Sequence, residues 1–244
     1  MVVLYHAAHF TALETDTPWL GEAFGPRLGF YGVLMFFVLS GYLMQGAIQR
    51  YPPGRFLAHR LVRLYPTYWA LVVILLLAQL LRTGQLQHIQ WSAWTLLPFG
   101  EMYRPLGVEW TLLYEVFFYL VCTLLCFVPR FRTAFFASWL VLVLFTASIF
   151  QNFGTTFQPT WLQIPFSLWN VGFIAGALLG RFSKQLSRIA PEILVLVAIP
   201  CFLLGELVGP APRILFAVAG LCCITQIAIV RSRLKPGRRG LGRR

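Results

Sequence analysis

Charge is scarce in this sequence. Only 11% of its 244 residues are Asp, Glu, Lys or Arg, against about 25% in soluble globular domains, while 58% are hydrophobic and the mean hydropathy is +0.71. A water-facing surface cannot be built from that composition, so a soluble fold is excluded. Strict alternation of apolar and polar residues over about 10 positions is absent too, which excludes a membrane β-barrel. Runs such as Leu28–Ala47, Thr67–Leu81 and Val108–Val128 instead approach or reach the roughly 20 apolar residues that cross about 30 Å of hydrocarbon. Backbone groups in lipid must bond within their own segment, so these runs read as helices. The expected fold class is all-α, a polytopic transmembrane helix bundle of about eight helices.

Other absences narrow the function. The five cysteines, Cys122, Cys126, Cys201, Cys222 and Cys223, all lie in apolar runs. No histidine or second cysteine pair stands at zinc-finger spacing, so they read as filler and no metal site is expected. There is no internal repeat. No basic stretch precedes Met1–Ala12, and two histidines interrupt it, so it does not read as a signal peptide. Twelve residues span only about 18 Å of helix, so the first helix is expected to lack its beginning.

What charge there is follows a pattern. Arg50, Arg55, Arg60 and Arg63 read as one loop, Arg130 and Arg132 as another, and Arg181, Lys184 and Arg188 as a third; seven more basic residues lie between Arg231 and Arg244. The alternate loops hold only Arg27, Arg82, Arg104 and Arg213, together with most of the acidic residues. By the positive-inside rule the basic set is cytoplasmic. The net charge of +12 therefore reflects topology and contact with anionic lipid rather than nucleic-acid binding. Helices are expected at Met1–Ala12, Leu28–Ala47, Tyr65–Leu81, Val108–Val128, Ala134–Phe150, Pro165–Gly180, Pro191–Leu207 and Ile214–Val230. Residues 1–230 read as one transmembrane domain, and 231–244 as a basic cytoplasmic tail. The location this implies is the inner (plasma) membrane, crossed many times.

Ionisable residues inside spans are costly and so point to function. Here they are His6, His9, Glu109 and Glu115. His6 and Glu115 fall at similar expected depths below one surface, where a carboxylate would fix the tautomer of an imidazole acting as a general base. The structural alternative is that His6 bonds across helices and Glu115 meets a helix end or a buried arginine. His9 sits nearer the exterior, where solvation explains it. Ser40 and Gly41 form a small pair that lets a helix or acyl chain approach closely. No lipase-type elbow surrounds Ser40. Trp91, Trp94, Tyr103 and Trp110 suit either stacking on sugar rings or an interfacial aromatic belt.

Four strings stand in a telling order: Val2-Val3-Leu4-Tyr5-His6, Phe36-Phe37-Val38-Leu39-Ser40-Gly41-Tyr42-Leu43, Arg60-Leu61-Val62-Arg63-Leu64-Tyr65-Pro66-Thr67-Tyr68-Trp69 and Trp110-Thr111-Leu112-Leu113-Tyr114-Glu115-Val116-Phe117-Phe118-Tyr119. Together they resemble acyltransferase family 3, and the aromatic form of the fourth is most similar to its exopolysaccharide acyltransferases. The resemblance implies a multi-pass membrane enzyme that moves an acyl group, acetyl by expectation, from acyl-CoA to a sugar hydroxyl. It implies His6 as catalytic base, Glu115 as its acidic partner, and Arg60 and Arg63 as the acyl-donor binding residues. Acyl-CoA (acetyl-CoA) is then a co-substrate and no cofactor is held permanently. The implied partners are the lipid bilayer and a glycan or lipid-linked sugar acceptor. The family arginine upstream of the histidine falls before Met1, and its later helices after Val230, so truncation at both ends is expected. Rival readings are a proton-coupled transporter or flippase using the same His and Glu, and an inactive truncated family member.

Overall fold

The computed structural model describes Thr11 and residues 26–85, 94–97, 109–150 and 159–234. Among the described residues there are α-helices and short 3-10 turns but no strand, as the hydropathy pattern requires. The helices are α1 (Pro26–Ala47), α2 (Pro53–Thr83), α3 (Glu109–Phe127), α4 (Arg132–Ile149), α5 (Asn170–Leu186), α6 (Pro191–Leu207) and α7 (Pro210–Leu234). Five of the described helical stretches are long and apolar enough to cross a membrane. The expected first helix, Met1–Ala12, lies outside the described residues apart from Thr11.

Proline sets several boundaries. It occupies the first turn of α2 and α6, where its missing N–H would have no partner anyway. α2 departs most from expectation. Its anticipated start was Tyr65, yet it runs 31 residues from Pro53 and carries Pro66 in its interior. Arg55, Arg60 and Arg63 therefore stand on a helix and not in a loop. A proline inside a helix removes one hydrogen bond, and the long flanking helical segments on either side of Pro66 outweigh that loss. α2 ends where Gly84 turns left-handed at φ 69°, its N–H donating to Leu80 O at 2.8 Å.

The described chain forms two compact units, one comprising residues 1–43 and 171–244 and the other residues 44–170. In the first, α1 and α5 meet backbone to backbone. A Cβ added at Gly41 would lie 2.0 Å from Phe173 O, and one at Gly176 would lie 2.0 Å from Val38 O. Gly172 and Gly176 form a G-x-x-x-G pair that faces Phe37 and Val38. Apolar surface gains nothing by leaving lipid for another helix, so this close van der Waals packing drives association. α6 and α7 form a tight antiparallel hairpin. At its turn end the Arg213 Nε donates to Gly205 O at 3.1 Å, and Glu206 accepts from the Tyr31 hydroxyl at 2.6 Å and pairs with Arg27 at 3.4 Å.

The second unit holds α2, α3 and α4. Arg132 Nε donates to Leu125 O at 2.9 Å and its Nη2 to Ile48 O at 3.1 Å. A cation is well placed there, because the last carbonyls of a helix lack internal partners and carry negative partial charge. Trp139 donates to Pro165 O at 2.7 Å, and Trp110 packs on Trp169 with ring centres 5.1 Å apart.

Gly176→Ala should lower stability by about 1–3 kcal/mol or more, because the new methyl group forces two backbones apart. Gly46, with nothing within 4 Å of an added Cβ, is the control, and Gly46→Ala should be neutral or stabilising by up to about 1 kcal/mol. Denaturant unfolding in micelles reads both, and equal effects would refute the close seam.

Candidate active site

α2 buries Phe56, Leu64, Tyr68 and Val72, spaced by four or eight residues and so along one stripe. Arg60 falls on the same stripe, one turn from Phe56 and one from Leu64. It is half-buried, with its guanidinium 5.7 Å from the centre of the Phe56 ring. Arg63, three residues on, lies at the exposed margin of that face.

α3 presents Glu115 and Tyr119, one turn apart. The Tyr119 hydroxyl donates to Glu115 Oε1 at 2.6 Å, and Tyr119 itself is buried. Both Arg60 and Arg63 lie within electrostatic reach of the Glu115 carboxylate and of Tyr119. The carboxylate expected to serve catalysis and the arginines expected to hold the donor thus form one cluster on the α2–α3 pair. In an apolar surrounding each charge lowers the cost of burying the other.

His6 and His9 lie outside the described residues, as do Trp91 and Tyr103. Of the other two aromatic residues named for sugar stacking, only Trp110 has its ring packed in the protein interior. Trp110 is buried against Trp169 and Tyr114, and the Trp94 carbonyl accepts from the Trp69 indole at 2.9 Å. Glu109 is also buried, in the first turn of α3 and within electrostatic reach of Tyr68. Ser40 and Gly41 serve packing, with Gly41 against the α5 backbone. Tyr119 was not singled out from sequence, although its i+4 spacing from Glu115 was the available signal.

Chemically, the two guanidinium groups outnumber the single carboxylate, so the cluster has spare positive charge for an anionic ligand. Arginine is suited to this because its planar fork meets phosphate oxygens in pairs. Glu115 keeps the arginines compensated when no ligand is present. Its carboxylate has about four lone-pair sites, more than Tyr119 takes up.

The pattern of the family described as an acyltransferase domain matches residues 1–241, nearly the whole chain. The chain belongs to acyltransferase family 3. This acyltransferase is also 28% identical over 260 residues to the exopolysaccharide production protein ExoZ of Rhizobium meliloti (strain 1021), a similarity covering 96% of this chain and 76% of that protein. No solved structure matches it. The acyltransferase is a multi-pass membrane protein, consistent with its five candidate spans.

Tyr119→Phe should lower stability by about 1.5–3 kcal/mol, the usual worth of a hydrogen bond to a charged group. Tyr51→Phe, at an exposed tyrosine, should cost little. Thermal unfolding of the purified variants compares them, and equal midpoints would show that the Tyr119–Glu115 bond contributes nothing.

Proposed function

We propose that this acyltransferase moves an acyl group, acetyl in the simplest case, from acyl-CoA to a hydroxyl of a glycan of the exopolysaccharide kind. The observation that carries this reading is the Glu115–Tyr119–Arg60–Arg63 cluster, assembled from two of the strings that resemble the family. The name of its relative, an exopolysaccharide production protein, supports the choice of acceptor. Arg60 and Arg63 bind the phosphate groups of the donor. Acyl-CoA is made in the cytosol, which agrees with a cytoplasmic position for the α2 arginines by the positive-inside rule. The same rule places the other basic segments, the C-terminus included, on the cytoplasmic side of the plasma membrane.

His6 removes the proton from the attacking hydroxyl, so that the oxygen forms a bond to the acyl carbon as the thioester C–S bond breaks. The proton then passes to the departing thiolate, and the products are the acyl ester and free CoA. Glu115, with one oxygen steadied by Tyr119, stabilises the positive charge that His6 acquires and holds the arginines in place.

Turnover of acetyl-CoA by the purified protein, with and without glycan, tests this reading. His6→Ala should lower turnover about 10²–10⁴-fold, the usual contribution of a general base, whereas His9→Ala should change it little. Arg60→Ala or Arg63→Ala should raise the donor KM about 10- to 100-fold, the equivalent of one charge-assisted phosphate contact, and leave the acceptor KM unchanged. Near-normal turnover in His6→Ala, or equal losses for both substrates in the arginine variants, would overturn these assignments.

A further inference from the structure

A groove of about 560 Å³ runs along the seam of α2 and α3, within the size range of small-molecule sites. Leu61, Val62 and Pro66 form its α2 wall and Val116 and Leu120 its α3 wall, while the turn at residues 94–97 closes one side. Two of its polar side chains, Tyr65 and Trp69, have their hydrogen-bonding groups engaged. The Tyr65 hydroxyl donates to Thr95 O, and the Trp69 indole donates to Trp94 O. The groove therefore offers an incoming molecule hydrocarbon contact and little hydrogen bonding.

The wall is pre-formed. Leu96, in the turn, is buried and holds a left-handed backbone at φ 53°. A non-glycine residue keeps such a conformation only where its surroundings impose it, and the two bonds from α2 do so. The groove also opens sideways, since Val62 and Trp69 are exposed on a span-length apolar helix.

One charge lies on this face of α2. Arg55 stands seven residues before Val62 and eleven before Pro66, spacings that return to the same side of a helix. It is exposed, and about 10 Å separates it from Val62 along the axis. Arg60 and Arg63 do not line the groove and lie within electrostatic reach of Glu115. Arg55 also lies in the first turn of α2, where unpaired backbone N–H groups favour an anion.

We propose that the groove binds an anionic phospholipid, with one acyl chain between α2 and α3 and the phosphate at Arg55. An apolar channel beside a single cation matches one chain below one anionic head. Arg55 then serves a bound lipid, a role separate from that of Arg60 and Arg63.

Tryptophan quenching tests this directly, because Trp69 and Trp94 line the groove. The full chain is reconstituted in vesicles containing brominated phosphatidylglycerol or brominated phosphatidylcholine, and fluorescence is compared. Stronger quenching by the anionic lipid is expected, and replacing Trp69 and Trp94 together by Phe should remove the difference. Arg55→Gln should weaken the anionic preference about five-fold, the effect of one arginine near an anionic surface. Arg130→Gln, at an exposed arginine on another segment, should leave it intact. Equal quenching by the two lipids, or equal effects of Arg55→Gln and Arg130→Gln, would overturn the proposal.

Discussion

Glu115 carries a carboxylate in a helix whose solvent is hydrocarbon, and what stands around that carboxylate governs the α2–α3 pair. An unpaired charge there would be costly. The Tyr119 hydroxyl at 2.6 Å and the two α2 arginines supply the compensation. The pairing works in both directions, because Arg60 lies on the buried stripe of α2 and would be as costly without an anion nearby. The same charges that make the helix pair tolerable in lipid leave a surplus positive charge, and the proposed donor site rests on that surplus.

Elsewhere the chain associates without charge. The α1–α5 seam has backbone carbonyls where a side chain would otherwise stand, at Gly41 and Gly176. Close packing of this kind replaces the hydrophobic effect, which has little force between helices already in lipid. Where helices end, cations take over, with Arg132 on the carbonyls of Leu125 and Ile48 and Arg213 on that of Gly205. Arginines that read only as markers of topology thus also complete hydrogen bonds that the helices cannot make internally.

The helices were legible because apolar length is a strong signal. Pro191–Leu207 was expected and observed with the same limits, and α1 and α3 differ from expectation by no more than two residues. The start of α2 was not legible, since Pro66 reads locally as a helix beginning while the long segments around it override that preference. The family was legible from four short strings in order. Their spatial grouping was less so: the expected pairing of Glu115 with His6 falls on a residue outside the described ones, and the Tyr119 bond and the identity of Arg60 and Arg63 as the cations within electrostatic reach were not foreseen. Nor could aromatic residues be sorted from sequence into sugar platforms and packing. Trp110 resembles an exposed interfacial residue until its partner, Trp169, is known.

Glu115 and the α2 arginines are expected to act as one unit. A double-mutant cycle on donor KM, comparing Glu115→Gln, Arg60→Ala and the combined variant, tests this most directly. Residues in one charge network couple by about 0.5–3 kcal/mol, whereas independent residues add within about 0.3–0.5 kcal/mol. Coupling of about 1 kcal/mol or more is expected. Strict additivity would contradict it, and would leave Glu115 and Arg60 as neighbours with separate roles.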